Sequence, residues 1–422
     1  MDLIMVKWQI KYLFEERMFR QNCLVCNSKN LNKIIDLGIH PFADTFISED
    51  KLSQSEPVYP LICDLCEDCG HVQTSCETKP EERYFLLNDY SYTSSNSSFA
   101  TQHWEEYAKT IIKKVNLDKG AFVVEIGSND GFLSEQFFKT GFKVLGVDPS
   151  EYMAKIAKKR NIDTFVDLFT KNTANKILEK YGKAELIIAN NVFNHADNPL
   201  NFVQGVKDLL SQQGVFVFEQ PYWLTSIKSR KIDQVYHEHV SYYSVKSAKR
   251  LLEQVGMIIT DVEEVNYHGG SLRIFARLHN SGFFESDNVS KMIQVEDNEG
   301  LFNKNKYLLI MQEILQKRNS FLKEIYELKE KGYPIIAVGA PAKGNTFLNF
   351  YALNKTVINY VTDSSSHKQG KYTPLTRIPI VNDEIFSKFD EPYALVLSWN
   401  LIDKLKPNLE KINPKIKFIA PM

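Results

Sequence analysis

The sequence predicts an α/β protein in three parts: a cysteine-bearing N-terminal module, a central Rossmann-like unit, and a second α/β unit of Rossmann-like pattern at the C-terminal end. Three observations carry that reading. Phe122 to Ile126 is an apolar run that enters Gly127-Ser128-Asn129-Asp130-Gly131, then an amphipathic stretch, then a second run from Lys143 to Val147 ending in Asp148. This is the order of a nucleotide-binding βαβ unit. Cysteines two residues apart stand upstream of it. Downstream, Ile335 to Val338 runs into Gly339-Ala340-Pro341-Ala342-Lys343-Gly344-Asn345-Thr346, a second strand-to-helix turn. The boundaries that follow are an extension over 1–20, a zinc-binding module over 21–80, the central unit over 81–280 and the second α/β unit over 281–422.

Composition sets the outer limits. The 422 residues are 43% hydrophobic and 24% charged, the proportions of an ordinary globular chain, with a formal net charge of −1. No basic field is available to gather nucleic acid or anionic lipid, and no apolar run reaches bilayer length. The N-terminal stretch MDLIMVKWQIKYLFEERMF has apolar residues at helical spacing, interrupted by Lys7 and Lys11, and lacks the apolar core and cleavage site of a signal peptide. It reads as a packing helix or extension, and Met18 reads as an alternative start. The expectation is a cytoplasmic protein, monomeric or weakly oligomeric.

All six cysteines fall between positions 23 and 76. Cys23-x2-Cys26 and Cys66-x2-Cys69-Gly70 each form a two-thiolate bite, and two such bites complete a tetrahedral zinc site. Cys63-x2-Cys66 has the same spacing, but the glycine after Cys69 suits a knuckle turn, which leaves Cys63 and Cys76 as free thiols. Four thiolates leave no open coordination position, so the zinc is structural. Asp64, Glu67 and Asp68 around the second pair would repel a nucleic-acid backbone.

In the central turn, Asn129-Asp130 interrupts the glycine pattern of a dinucleotide fingerprint. Glu125 inside the strand calls for a ligand with a cationic end, and Asp148 lies where a ribose would. This pattern resembles S-adenosylmethionine (SAM) methyltransferases. Asn88-Asp89-Tyr90-Ser91-Tyr92-Thr93-Ser94-Ser95 is a polar aromatic loop before a helix from Phe99 to Val115. Further strands are expected over Glu185–Ala189, ending near Asn190 and His195, and over Val215–Glu219. The strand over Ile274–Leu278, behind His268-Gly269-Gly270, is expected to close the sheet. Tyr236-His237-Glu238-His239 has its histidines two apart, not the four of a metal-binding helix. On an extended segment His237 and His239 would share one side, with Tyr236 and Glu238 on the other. A long helix through Lys306–Leu328 leads to the last unit, whose strands Val357–Thr362 and Ala394–Ser398 end in Asp363-Ser364-Ser365-Ser366-His367-Lys368-Gln369-Gly370 and Trp399-Asn400. Lys343 at a turn of small residues suits a phosphate.

Taken together, the CxxC pairs, EIGSNDG, YHEH, HGGSLR, GAPAKGN and the HKQGK loop occur in the order found in the zinc-containing, SAM-dependent nucleotide-sugar C-methyltransferases, which this chain resembles over nearly everything after residue 22. The resemblance implies a class I methyltransferase domain at the centre and a C-terminal domain that holds a nucleotide sugar. It implies methyl transfer to a 4-keto-6-deoxysugar, at C3. His239 is then the base, with His237, Glu238 and Tyr236 orienting the sugar and stabilising an enolate. Tyr90, in competition with Tyr92, and His195 are further contacts. Cofactor contacts fall on Glu125, Gly127, Asn129, Gly131, Asp148 and Asn190, and substrate contacts on Lys343, Asn345, His367, Lys368 and Trp399. Pro374-Leu375-Thr376-Arg377 departs from the proline-glycine turn of similar proteins. Two other classes compete: an NAD-dependent sugar-nucleotide oxidoreductase, and a non-catalytic zinc scaffold or nucleic-acid binder.

Overall fold

The computed structural model describes residues 18–84, 93–95 and 97–419. Tyr90, Tyr92 and the first seventeen residues of the N-terminal extension lie outside the described residues. Strands β1 (Leu31–Pro41), β2 (Val58–Cys66) and β3 (Val72–Thr74) form an antiparallel meander. Ile34, Ile35, Leu37, Leu61 and Leu65 turn into its core.

Helix α1 (Ser98–Val115) opens the central unit. Ser97 caps it by accepting from the Ala100 N–H, and Ala100, Trp104, Tyr107, Ala108 and Ile111 form its buried stripe. It ends at Asn116, whose left-handed φ of 51° stops the helix. The sheet it covers contains β4 (Phe122–Ile126), β5 (Lys143–Val147), β6 (Asp163–Phe165), β7 (Ala184–Asn190) and β8 (Leu210–Pro221). Helices α2 (Phe132–Lys139) and α3 (Glu151–Lys159) connect the first three strands. A two-residue strand, β9 (Ser241–Tyr242), leaves this unit and pairs with β3, completing the N-terminal sheet. The chain returns through β10 (Met257–Val265) and β11 (Ser271–Leu278), giving the order β10-β11-β8-β7-β4-β5-β6 with β11 antiparallel to both neighbours. The expectation that the strand after the Gly269-Gly270 pair closes the sheet is therefore corrected. β10 is the edge, and β11 is an inner strand because its backbone pairs on both sides. Successive residues of β4 enter different cores, Val123 one face and Val124 the other, which is why a strand buried on both faces reads as an unbroken apolar run.

Helices α4 (Asp287–Asn298) and α5 (Lys304–Glu330) lead to the last sheet, so the single helix expected there is preceded by a second one. Strands β12 (Ile335–Val338), β13 (Tyr360–Thr362), β14 (Ile380–Val381), β15 (Tyr393–Val396) and β16 (Lys417–Ile419) are all parallel, in the order β14-β13-β12-β15-β16. Helix α6 (Ala342–Phe350) follows β12. One apolar core runs from Cys23 and Ile35 through Phe218 and Tyr307 to Ile335 and Ile419, so the three sheets share buried surface.

Candidate active site and zinc centre

The two cysteine pairs meet. The Sγ atoms of Cys23, Cys26, Cys66 and Cys69 all lie within 4.8 Å of one another, with Cys23 3.6 Å from Cys69 and Cys26 3.5 Å from Cys66. A tetrahedral Zn²⁺ with bonds of about 2.3 Å sets its sulfurs about 3.8 Å apart, so the donors fit that ion. Each pair is folded as a turn, with Asn27 N–H donating to Cys23 O and Gly70 N–H to Cys66 O at 2.9 Å. Gly70 has φ 71°, and a Cβ there would lie 2.4 Å from the Phe302 ring. Cys63 and Cys76 stand outside the cluster.

At the carboxyl ends of β4, β5, β7 and β8 lies a crevice of buried polar groups. Glu125 accepts from Ser134 Oγ. Burial pushes its carboxyl up to about 8, and Asp130 and Asp148 add to the rise. Asp148 accepts from the Asn129 and Ser150 N–H groups, both at 2.9 Å, which holds the carboxylate against the glycine turn. Asn190 Oδ1 accepts from Glu219 N–H at 3.0 Å and its side chain also meets the Tyr107 hydroxyl, while the whole side-chain amide of Gln220 is buried without a partner among the described residues. Glu219, fully buried, is gripped by Arg273 at 2.7 and 2.9 Å and by His103 at 2.8 Å. A SAM molecule, with its ammonium and sulfonium charges and ribose hydroxyls, suits this donor set.

A Cβ on Gly131 would lie 2.8 Å from the Ala157 Cβ, so the glycine lets the turn pack on α3. Gly127 meets the Val192 side chain at 2.8 Å in the same sense. Sequence reasoning missed the role of Asp130, which accepts from Ser94 Oγ and Ser95 Oγ and so ties residues 94 and 95 over the turn, with Arg160 3.2 Å from Ser95 Oγ.

Residues 236–239 are a turn and not the extended segment expected, because His239 N–H closes onto Tyr236 O at 3.0 Å. The side chains are redistributed accordingly. Tyr236 and His239 now share a side, rings 3.9 Å apart, with the Tyr236 hydroxyl 2.5 Å from His239 Nε2. His195 meets the His239 ring edge-on at 4.9 Å. His237 goes the other way, between Phe42 and Tyr59 of the zinc module and 3.2 Å from Pro60 O. Glu238 Oε1 accepts from Asp44 N–H at 3.1 Å, and its buried Oε2 has no partner among the described residues. Burial raises Glu238 to about 7 and, with Arg83 nearby, lowers His195 to about 4. His239 Nδ1 is 3.1 Å from Gln234 O. A carbonyl can only accept, so Nδ1 carries the proton and Nε2 is left with its lone pair. Burial holds the ring neutral, well below its ordinary value.

In the C-terminal loops the predicted substrate contacts have partners within the protein. Lys343 Nζ is 2.6 Å from Asn400 Oδ1 and 3.9 Å over the Trp399 ring, so these two predicted contacts are brought together. Asn345 is buried and donates to Ala43 O at 2.6 Å. Lys368 donates to Ala340 O at 2.8 Å. His367, exposed, lies 3.2 Å from the Tyr152 hydroxyl of α3 and apart from the other four. The departing loop is pinned by Glu56, which accepts from Leu375 N–H and pairs with Arg377 at 3.1 Å, while Leu375 and Arg377 adopt φ of 59° and 55°.

A crevice suited to a cationic cofactor at the carboxyl ends of these strands agrees with the comparisons: residues 100–262 match the family model described as "Methyltransferase domain". Residues 23–84 match a zinc binding domain model, and residues 266–422 match "C-methyltransferase C-terminal domain". "C-methyltransferase NovU" of Streptomyces niveus is 28% identical over 404 residues, 95% of each chain. The chain is a SAM-dependent methyltransferase, similar along its length to zinc-containing C-methyltransferases, with SAM as methyl donor and zinc in the cysteine cluster. A "Ubiquinone biosynthesis O-methyltransferase" of Colwellia psychrerythraea strain 34H is 23% identical over 158 residues, 35% of this chain and 64% of that enzyme. A solved SAM-dependent methyltransferase from Clostridium acetobutylicum shows 15% identity and a TM-score of 0.35, over 46% of this chain and 96% of that one. The oxidoreductase and scaffold readings are set aside by the family models. Among the described residues no helix is long and apolar enough to cross a membrane.

Proposed function

We propose that the protein methylates carbon C3 of a nucleotide-linked 4-keto-6-deoxysugar, with His239 as the base. The observation that carries this is the tautomer: Nδ1–H is committed to Gln234 O, and Nε2 is the acceptor on the side shared with Tyr236 and His195. A carbon beside a ketone is acidic enough for imidazole to remove its proton when a donor holds the resulting enolate oxygen. Bound SAM supplies an electrophilic methyl group. His239 Nε2 takes the proton, Tyr236 OH passes from the ring to the enolate oxygen, and the free oxygen of Glu238 receives a sugar hydroxyl. The new C–C bond forms as the sulfonium C–S bond breaks, and the proton on His239 leaves to solvent. Glu125 and Asp148 hold the ammonium and ribose ends of SAM, with Asn129 and Asn190 beside them. Lys343 and Trp399 face the nucleotide, whereas Asn345 and Lys368 brace the loops around it. All six cysteines are unpaired as disulfides, four of them gathered for metal, which supports a reducing cytoplasmic setting.

The test is mass spectrometry of SAM with a panel of nucleotide-linked 4-ketosugars, seeking a gain of one methyl and locating it by NMR. His239→Ala is expected to lose methyl transfer by roughly 10²–10⁴-fold while binding SAM normally. It should also stop deuterium exchange at the sugar carbon in D₂O. Transfer to oxygen, or normal turnover in the variant, defeats the proposal.

A further inference from the structure

The loop that carries the base is held from the C-terminal unit. Trp399 Nε1 donates to Asp233 Oδ2 at 2.7 Å, and Thr346 Oγ1 donates to Val235 O at 3.1 Å. Gln234 lies between these two grips, and its carbonyl is the one that accepts from His239 Nδ1. The same loop is tied to the β10–β11 turn: Gln234 Nε2 donates to His268 O at 3.1 Å, and Lys231 Nζ to Gly269 O at 2.8 Å. Trp399 sits directly on Gly269, where a Cβ would be 2.5 Å from the indole, and it is flanked by Lys231 and Lys343 at 4.4 and 3.9 Å. The indole is thus in contact with both anchors of the loop and with the lysine of the GAPAKGN turn.

We propose that Asp233 is a positioning residue for the base: latched by Trp399 of the C-terminal unit, it sets the place of the Gln234 carbonyl on which the orientation and tautomer of His239 depend. This rests on the reading of His239 as the base. The latch makes base orientation conditional on the seating of the C-terminal unit, so that domain docking and proton abstraction are coupled through one indole N–H.

Trp399→Phe keeps an aromatic ring on Gly269 and removes the N–H donor, and Asp233→Leu removes the acceptor. Asp233→Asn keeps an acceptor oxygen and is the conservative rescue. The first two are expected to lower kcat roughly ten- to hundredfold, the scale of a small displacement of a reacting group, with SAM affinity unchanged. They should also move the acidic limb of the kcat–pH profile to lower pH, because a carbonyl that accepts from Nδ1–H favours the imidazolium and its displacement weakens the base. The other groups facing His239 are Tyr236 of its own turn, His195 after β7, Tyr242 of β9 and His268 of the β10–β11 turn, with Arg83 facing His195; all are retained in these variants. Asp233→Asn should keep the wild-type limb. A lower melting temperature with an unmoved limb in Trp399→Phe would reduce the latch to a packing contact and overturn the proposal. His239→Gln separates the two ideas. If it turns over normally, the base assignment fails. If it is inactive and the limb stays fixed in both latch variants, only the latch fails.

Discussion

The protein contains two sheets whose parallel strands change direction in the same way, at β4 and β7 in the centre and at β12 and β15 in the C-terminal unit, and their carboxyl-end crevices leave polar groups in different states. In the central crevice the Gln220 side-chain amide is buried without a protein partner among the described residues, and the Tyr107 hydroxyl and Asn190 side chain meet only each other and the Glu219 N–H. In the C-terminal crevice Lys343, Asn345, Lys368 and Trp399 are each engaged, by Asn400, Ala43 O, Ala340 O and Asp233. Buried polar groups are normally satisfied, so an unsatisfied amide marks a place prepared for a ligand, whereas in a satisfied set a ligand must share or displace the partners already made. Topology locates both crevices, but it does not say which use each is put to.

The sharpest way to break this contrast is at the floor of the central crevice. Arg273→Met should destabilise the protein by about 3–5 kcal/mol in urea unfolding, because it strips both guanidinium donors from Oε2 of the fully buried Glu219. A change under about 1 kcal/mol would mean that His103 alone satisfies that carboxylate. On the other side of the comparison, Asn345→Ala should cost about 1–3 kcal/mol through the orphaned Ala43 carbonyl. SAM affinity by calorimetry should be unchanged, and a loss of SAM affinity would place Asn345 in the cofactor's reach after all.

A subtler test uses Glu125. Its folded value of about 8 stands above its ordinary 4.5, chiefly through burial. The native state therefore holds a proton that the unfolded state gives up, and this group's stabilising effect is present below about pH 4.5 and lost as pH rises towards 8. Glu125→Gln should flatten that decline. Binding of cationic SAM should release protons between those limits, visible as a buffer-dependent binding enthalpy. Equal enthalpies in phosphate and Tris would remove Glu125 from contact with the positive charge. The smallest effect is expected at Leu375, which is partly exposed and held at φ 59°. Leu375→Gly should gain under about 1 kcal/mol, the relieved left-handed strain being offset by chain entropy. The readout is the melting temperature, and a clear fall would show that the leucine side chain itself fastens the loop.

Much of this was legible beforehand because it depends on local spacing. The zinc ligands declare themselves by two-residue bites and a following glycine. The βαβ turn declares itself by an apolar run, a flexible turn and an acid at the end of the next strand. The YHEH segment was read correctly as a cluster of proton-handling groups and incorrectly as extended, since a turn and a short strand differ by one backbone hydrogen bond that no side-chain pattern encodes. Gly131 was read only as a cofactor contact, and its missing Cβ also serves the approach of Ala157. Asp130 with Ser94 and Ser95, and Asp233 with Trp399, are pairs separated by 35 to 166 residues. No periodicity brings them into view.

The sequence by itself determined the donors: four thiolates, the acids Glu125 and Asp148, and an imidazole flanked by a phenol and a carboxyl. Each is a matter of residue type and short-range spacing, which the chain carries wherever it folds. Only the tertiary structure decided their partners. It turned His237 into the zinc module, set Gln234 O to accept from His239 Nδ1–H, closed the C-terminal lysines onto one carbonyl and one amide, and left the Gln220 amide of the central crevice unpaired among the described residues. Those outcomes depend on how three sheets share one core, and burial, which fixes both the pKa shifts and the value of every hydrogen bond, exists only after that core has formed.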